Sequence, residues 1–469
     1  MANPYSLSKF AGADSLDAIV MPYEKNELTA ELAAELIFGG VGAEGKLPVN
    51  ASPQFKIGTG IKLTKTTRLS YVEPQEINIE KKYINNIDSI VANALQANAF
   101  PGCQVLAAKD GKVFLNKSYG SISNASTTAV SNKNIYDIAS VTKVAASTLS
   151  LMRLYDAGVY NLDDTYSKYL PELKNSNKKD LTFRDQLTHQ GRLKPYLPYY
   201  LQTIDSTGPI NTMYKKFADK DYSIPIADSL YALNSISDSL YSKIITTSLE
   251  PQKHYLYSDM GYYFAKKFIE KETGKTLDKF SQSIYLQLGM NNTGYNPLNY
   301  FAKERIAPTE NDVRFRKQLI QGYVHDQGAA LLGGVAGHAG VFSNANDLAK
   351  LFQMYLNHGE YGGETIIKKS TLAEFTRCQF CKEGNRRGLG FDKPEPNLKK
   401  GSPCSRSASL ESYGHSGFTG TFAWADPANG LVYIFLSNRV NPDASNNKLV
   451  EMNVRSKIQD VLYEAIKEK

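Results

Sequence analysis

Three short stretches of this chain hold residue types that could carry acyl-transfer chemistry: Ser140-Val141-Thr142-Lys143, Tyr257-Ser258-Asp259 and His415-Ser416-Gly417. In an S-x-x-K, a helix puts positions i and i+3 on one face, so the lysine amine can reach the serine hydroxyl. A helix N-terminus also favours negative charge building on the serine oxygen. A hydroxyl activated in this way attacks a carbonyl and holds the acyl group covalently. The tetrapeptide alone decides little, because Ser6/Lys9, Ser176/Lys179 and Ser445/Lys448 share its spacing in polar, turn-like stretches. Only Ser140 opens a run patterned for a long helix, with Val144, Leu149, Leu151, Met152 and Leu154 to anchor it in a core.

Each of the other two stretches has a bland counterpart elsewhere. Y-x-[N/D] recurs at Tyr83-Ile84-Asn85 and Tyr355-Leu356-Asn357, so a buried structural tyrosine competes with a catalytic Tyr257. His189-Gln190-Gly191 and His338-Ala339-Gly340 repeat the H-x-G pattern ahead of loop or helix signals. His415-Ser416-Gly417 instead leads straight into an apolar hairpin, which would lay its backbone along a sheet edge. Arg439, at the end of the last strand, could bind a substrate carboxylate or form a surface ion pair. His325-Asp326 and His338 flank a Gly-rich segment that could line a cleft; no metal site and no cofactor is expected. Tyr196, Tyr199 and Tyr200, interleaved with Pro195 and Pro198, offer a stacking wall or plain loop packing.

The elements that must position these residues are legible in outline. A helix is predicted over Ile84–Leu95, followed by a hairpin of 104–109 and 112–115 around Asp110-Gly111. Asp-Gly between apolar runs signals a type I′ turn, which needs positive φ at both centres. A matching pair, 421–425 and 431–436, lies near the end, before a last helix at about Leu449–Ile466. Hairpins at both ends of a mainly helical middle predict one antiparallel sheet flanked by terminal helices, with a large helical insertion at about 155–340. The first seventy-odd residues look foreign to this plan. They offer a short strand at Ser15–Met21 and a helix at Leu28–Phe38, whose apolar side holds Leu28, Leu32, Leu36 and Ile37. A single strand and helix cannot bury a core of their own. The expected division is 1–52 as a remnant of another domain, 53–79 as a linker and 80–469 as the main domain.

The order and setting of the three motifs match a family pattern. That pattern has S-x-x-K at a helix start, Y-x-N in the insertion and K-T-G or H-x-G on a strand. From about Lys81 onward the chain resembles the serine β-lactamase superfamily: class C β-lactamases, D-alanyl-D-alanine carboxypeptidases and related esterases. Tyr136-Asp137-Ile138-Ala139-Ser140, Leu187-Thr188-His189, the run 333–340 and Gly414–Gly420 support the likeness. It implies a β-lactamase/transpeptidase-like α/β (α+β) fold. By the same resemblance Ser140 is acylated, Lys143 and Tyr257 manage protons, and the backbone N–H groups of Ser140 and Phe418 form the oxyanion hole, with Gly417 in support. Two positions depart from the pattern. His415 stands where a lysine usually binds a carboxylate, which weakens the case for β-lactams or D-Ala-D-Ala tails. Asp259 stands where asparagine is usual, and a carboxylate there would keep Lys143 protonated. The expected base is therefore an ionised Tyr257, supported by Lys143 and His415. Separately, Asn26–Thr29, Phe38-Gly39-Gly40 and Gly45–Val49 resemble the closing segment of family 3 glycoside hydrolases, without their catalytic residues.

Composition narrows the alternatives. A net charge of +7 over 469 residues, with no basic block, argues against a nucleic-acid partner. There is no apolar run of about 18 residues, so no transmembrane segment is expected. The first ten residues hold no signal core, so the chain as written would stay where it is made; the likeness suggests a periplasmic or cell-envelope site if a leader precedes it. Among four cysteines, Cys378 and Cys381 form a C-x-x-C that suits zinc poorly without a second pair, and a Cys381–Cys404 disulfide is conceivable. The resulting expectation is a serine hydrolase acting on an amide or ester bond of a small-molecule or peptide substrate, with peptidoglycan-derived muramyl or stem peptides implied. A possible glycoside hydrolase domain would be fused or docked. A broad esterase, a non-turnover acylating β-lactam or cell-wall sensor, and a chemically dead scaffold are the alternatives.

Overall fold

The structure is a computed structural model that describes residues 3–10, 12–64 and 67–467. Its frame is a six-stranded sheet of β1 (Ser70–Tyr71), β2 (Gly102–Lys109), β3 (Lys112–Gly120), β4 (Tyr413–Ser416), β5 (Phe422–Asp426) and β6 (Leu431–Ser437). The spatial order is β1-β3-β2-β6-β5-β4, antiparallel throughout except for β1, which runs parallel to β3. The first hairpin forms where Asp-Gly called for it: Asp110 and Gly111 have φ of 49° and 77°.

Both faces of the sheet are covered, so its strands read as nearly continuous apolar runs and not as alternating ones. On one face Leu106, Ala108, Ala423, Ala425, Val432, Ile434 and Leu436 join the large core shared with the insertion. On the other, Val105, Phe422, Trp424, Tyr433 and Phe435 meet the terminal helices α1 (Lys81–Gln96) and, at the chain's end, Val454–Lys467. Three helices on the first face matter for the site: α2 (Thr148–Asp156), α3 (Gly261–Thr273) and α4 (Ala345–Leu356). The last helix, Val454–Lys467, is α5.

Several expectations need correction. The predicted final helix is two, Lys448–Glu451 and α5, parted at Asn453, whose φ of 52° no α-helix accommodates. The span read as a linker ends in structure: β1 adds an edge strand, and Leu69 and Ile79 are buried in the cores on opposite faces. The insertion carries short strands of its own, Tyr214–Lys215, Ile224–Ala227 and Leu230–Ala232. At 15–21 no strand is seen among the described residues: Ser15 closes a 3-10 turn and 16–21 carry bends and irregular backbone. The N-terminal helix, Glu27–Ile37, does form, with a capping box between Asn26 and Thr29. Its apolar side is covered only in part among the described residues: Leu36 is half-buried, while Leu28, Leu32 and Ile37 stay exposed.

Trp424 is the largest fully buried side chain, 1% exposed and stacked face to face on Phe422 with ring centroids 5.3 Å apart. Replacing it by alanine opens a cavity on the terminal-helix face of the sheet. Trp424→Ala is expected to cost about 3–5 kcal/mol in urea unfolding, while leaving the opposite face of the sheet in place.

Candidate active site

Ser140 does not begin a regular α-helix. It sits in a 3-10 turn, Ala139–Val141, followed by a π-helical turn, Lys143–Ser147, before α2 continues. Ala139 holds a positive φ of 46°, a costly conformation for a residue with a side chain. The buried Asp137 secures this turn: its Oδ1 accepts the Ala139 N–H at 2.8 Å and its Oδ2 the His325 N–H at 2.7 Å. Burial raises the Asp137 pKa, against the pull of these two donors. The contact that the i, i+3 spacing promised is made nonetheless. Lys143 Nζ donates to Ser140 Oγ at 2.8 Å and to the His338 carbonyl at 3.3 Å.

The second motif closes over Lys143. Asp259 Oδ1 lies 2.6 Å from Lys143 Nζ, and the lysine side chain is 0% exposed. Asp259 is placed by its own N–H on the Pro195 carbonyl at 2.8 Å. Its neighbour Ser258 gives its N–H to His189 Nδ1 at 3.0 Å and its hydroxyl to the Lys194 carbonyl at 2.6 Å. Lys143 Nζ stands 5.0 Å from the Tyr257 ring centre, and Lys143 and Ser140 both act on the Tyr257 hydroxyl, drawing its pKa down against the rise from burial. The His189 ring packs 4.5 Å from the Tyr257 ring.

The third motif reaches the same place from the sheet edge. His415, on β4 opposite Ala423, has its ring 6.0 Å from that of Tyr257. The turn after β4 is stitched to the segment before Ser140, with Thr419 Oγ1 donating to the Asp137 carbonyl at 2.7 Å and Thr421 Oγ1 to the Ile138 carbonyl at 2.9 Å. A Cβ at Gly417 would meet Thr421 Oγ1 at 2.1 Å and the Ile138 carbonyl at 2.5 Å, so only glycine allows this approach. Phe418 follows it at the rim, 53% exposed.

Burial and neighbours set the proton states. Burial opposes the charge on Lys143, but Asp259 and Tyr257 outweigh it and hold the pKa above the ordinary lysine value. Lys143 is therefore an ammonium at neutral pH. Burial pushes the Tyr257 hydroxyl up; Lys143 pulls it down only in part, and Asp259 adds to the rise. The expectation of an ionised Tyr257 is thus corrected: the resting side chain is a neutral phenol. His415 Nδ1 lies 2.7 Å from the Ser416 carbonyl, which can only accept, so Nδ1 carries the hydrogen. Burial, then the Arg387 and Lys143 charges, push the His415 pKa well below its usual value. A neutral imidazole cannot lend positive charge to Tyr257, and that part of the expectation fails as well.

Other candidates fall elsewhere. Among the described residues Arg439 forms no ion pair. It is buried, donates to the carbonyls of Ala444 at 3.2 Å and Asn446, and lies 4.5 Å from the Phe418 ring centre, so it shapes the rim. His325 pairs with Glu310 at 3.2 Å and His338 with Asp326 at 2.9 Å, as two separate pairs. Tyr199 is buried and Tyr200 packs on Phe315 at 5.3 Å, while Tyr196 is exposed. Cys378 and Cys381 are bonded to each other, whereas Cys404 and Cys103 are buried free thiols, so no Cys381–Cys404 bond exists. Sequence reasoning missed His189 and Arg387 as neighbours of Tyr257. His189 left a trace in the Leu187-Thr188-His189 run. Arg387, beside Arg386 in a polar loop, left none.

Comparison with known proteins bears on this geometry. The β-lactamase family profile matches residues 87–452. The chain belongs to the β-lactamase family. This β-lactamase-family serine hydrolase is 28% identical over 448 residues to an Escherichia coli O157:H7 protein named "Putative D-alanyl-D-alanine carboxypeptidase", covering 88% of this chain and 97% of that one. Two solved structures share its fold. The first is a penicillin-binding protein homologue from Caulobacter crescentus, with a TM-score of 0.58 and 17% identity over 83% of this chain and 99% of that one. The second is EstCE1, described as a hydrolase with promiscuous acyltransferase activity, with a TM-score of 0.59 and 16% identity over 81% and 98%.

The Lys143–Asp259 pair should behave as a coupled unit. Removing one partner leaves a buried charge alone, so Asp259→Asn is expected to cost about 3–5 kcal/mol, and Lys143→Met combined with Asp259→Asn less than the sum of the two single changes. Because the folded lysine pKa is raised, its stabilisation is complete below about pH 10, the unfolded lysine value, and fades as pH climbs through the folded one. Urea unfolding of the four proteins at pH 8 and pH 11 checks both statements.

Proposed function

We propose that this enzyme hydrolyses an amide or ester bond of peptidoglycan-derived peptides through an acyl-Ser140 intermediate. The observation that carries the reading is Lys143 Nζ held between Ser140 Oγ at 2.8 Å and Asp259 Oδ1 at 2.6 Å, with Tyr257 against both Ser140 and Lys143. Lys143, locked as an ammonium, orients the serine oxygen and stabilises the negative charge that develops there. It has no vacant lone pair with which to act as a base.

The proton of Ser140 passes to Tyr257 Oη while the phenol proton passes to the departing nitrogen or oxygen. No free phenolate is needed, and the phenol ends as it began. The backbone N–H groups of Ser140 and Phe418 receive the carbonyl oxygen in the tetrahedral stage, at roughly 3 kcal/mol per donor. In the second half, water attacks the acyl carbon, gives its proton to Tyr257, and the phenol proton returns to Ser140 Oγ.

The substrate class is supported by the name of the E. coli relative, which refers to a D-alanyl-D-alanine peptide. The N-terminal unit adds to it: the exposed Leu28, Leu32 and Ile37 of its helix and the cavity of about 620 Å³ beside them suit docking against a glycosidase domain of the kind the segment resembles, which goes with a cell-envelope setting. A neutral His415 favours a second reading, a broad esterase, because no fixed cation stands at the third motif to hold a substrate carboxylate.

Incubation with purified muropeptides, followed by mass spectrometry, distinguishes the two: shortened stem peptides are expected, and intact muropeptides beside rapid cleavage of simple esters would leave the esterase. Ser140→Ala should abolish both activities. Tyr257→Phe should slow acylation by about 10²–10⁴-fold.

A further inference from the structure

The loop closed by Cys378 and Cys381 leads into two adjacent arginines with different surroundings. Arg386 engages Asp392 with two nitrogens, Nε at 3.0 Å and NH2 at 2.9 Å, and reaches Glu395 at 3.5 Å and the Lys393 carbonyl at 2.8 Å. Arg387 is 1% exposed; among the described residues it meets the same carboxylate only at a distance, NH1 to Asp392 Oδ2 at 3.5 Å, and its NH2 donates to the Gly390 carbonyl at 2.9 Å. Among the described residues its Nε has no hydrogen-bond partner. The guanidinium carbon lies 5.9 Å from the centre of the Tyr257 ring. The backbone around Arg387 is held in place: its N–H goes to Asn385 Oδ1 at 3.1 Å, and its carbonyl accepts the Gln379 N–H at 3.0 Å.

Charge balance makes this placement meaningful. Around Tyr257 stand Lys143 and Ser140 from the turn before α2, Asp259 from its own segment, His189, His415 from β4, and Tyr262 at the start of α3. Of the charged groups, Lys143 is matched by Asp259 at 2.6 Å. The carboxylate nearest Arg387 is already held by Arg386. Arg387 is therefore the cation left over on the water-free side of the phenol, where a charge acts strongly over several ångströms.

We propose that Arg387 is a positioning residue for proton transfer at Tyr257, supplying a buried, incompletely neutralised positive charge. The inference rests on Tyr257 being the proton carrier. The charge lowers the cost of electron density on the phenol oxygen as Ser140 gives up its proton. It also disfavours protonation of His415, keeping Nε2 of that ring as a hydrogen-bond acceptor that acid would remove. Both effects have one sign: without the cation, every acid near Tyr257 holds its proton more tightly.

The test is acylation of Ser140 by p-nitrophenyl acetate, measured as the single-turnover release of nitrophenol against pH on the full chain. Arg387→Gln should lower the rate by about 10- to 100-fold. It should also move the acid limb of the profile up by about one pH unit or more. Arg387→Lys should restore much of both. Asp392→Asn, which adds net positive charge, should move the limb the opposite way, and it keeps the test open if Arg387→Gln does not fold. A purely structural role would lower melting temperature without moving the limb in either variant, and that result would overturn the proposal. Tyr257→Phe in the same assay separates the two readings. Wild-type acylation there removes Tyr257 itself, whereas slow acylation with an unmoved Arg387→Gln limb removes only Arg387.

Discussion

A fully buried ammonium needs a partner, and much of the site follows from that need. Lys143 is sealed from water and in contact with Asp259, Ser140 and Tyr257 at once. A lone charge in such a position is strongly destabilising, while a paired one is tolerated when hydrogen bonds complete the pair. Asp259 must therefore stand where it does, and with it the segment 257–259 that precedes α3. The His189 ring, which receives the Ser258 N–H, braces that segment from behind. The motif's tyrosine is placed by the same requirement that satisfies its aspartate.

The sheet supplies the other half of the constraint. β4 is an edge strand, and the turn that leaves it is pinned by two threonine hydroxyls to the backbone just before Ser140. Gly417 allows the two segments to touch, so the serine turn and the strand edge form one rigid unit. Catalytic groups held on packed elements keep their geometry better than groups on free loops. The positive φ at Ala139 fits this view, because strain of that kind persists only where surrounding contacts over-determine it.

Family membership and local departures pull in different directions. The fold is kept in relatives that share only 16–17% of their residues with this chain. At the site, however, a carboxylate faces the lysine and an imidazole occupies the strand-edge position. The carboxylate keeps Lys143 charged, and burial beside cations keeps His415 uncharged. Positive charge in the site thus comes from Lys143 and, behind Tyr257, from Arg387, and not from the third motif.

Local chemistry was enough to read the hairpins, the terminal helices and the three motif positions. Asp-Gly dictates its turn, and apolar runs dictate buried strands, whatever lies elsewhere in the chain. The irregular turns at Ser140, the Cys378–Cys381 bond and the edge strand at Ser70–Tyr71 were not readable, because each depends on contacts with distant segments. The N-terminal helix was legible by its period, yet its period could not say that Leu28, Leu32 and Ile37 on its apolar side would remain exposed. By itself the sequence determined which side chains were available for acyl transfer and which elements would present them. Only the tertiary structure decided their proton states and named Arg387 as a neighbour. A pKa is set by burial and by charges brought from far along the chain, and neither is written in the residues next door.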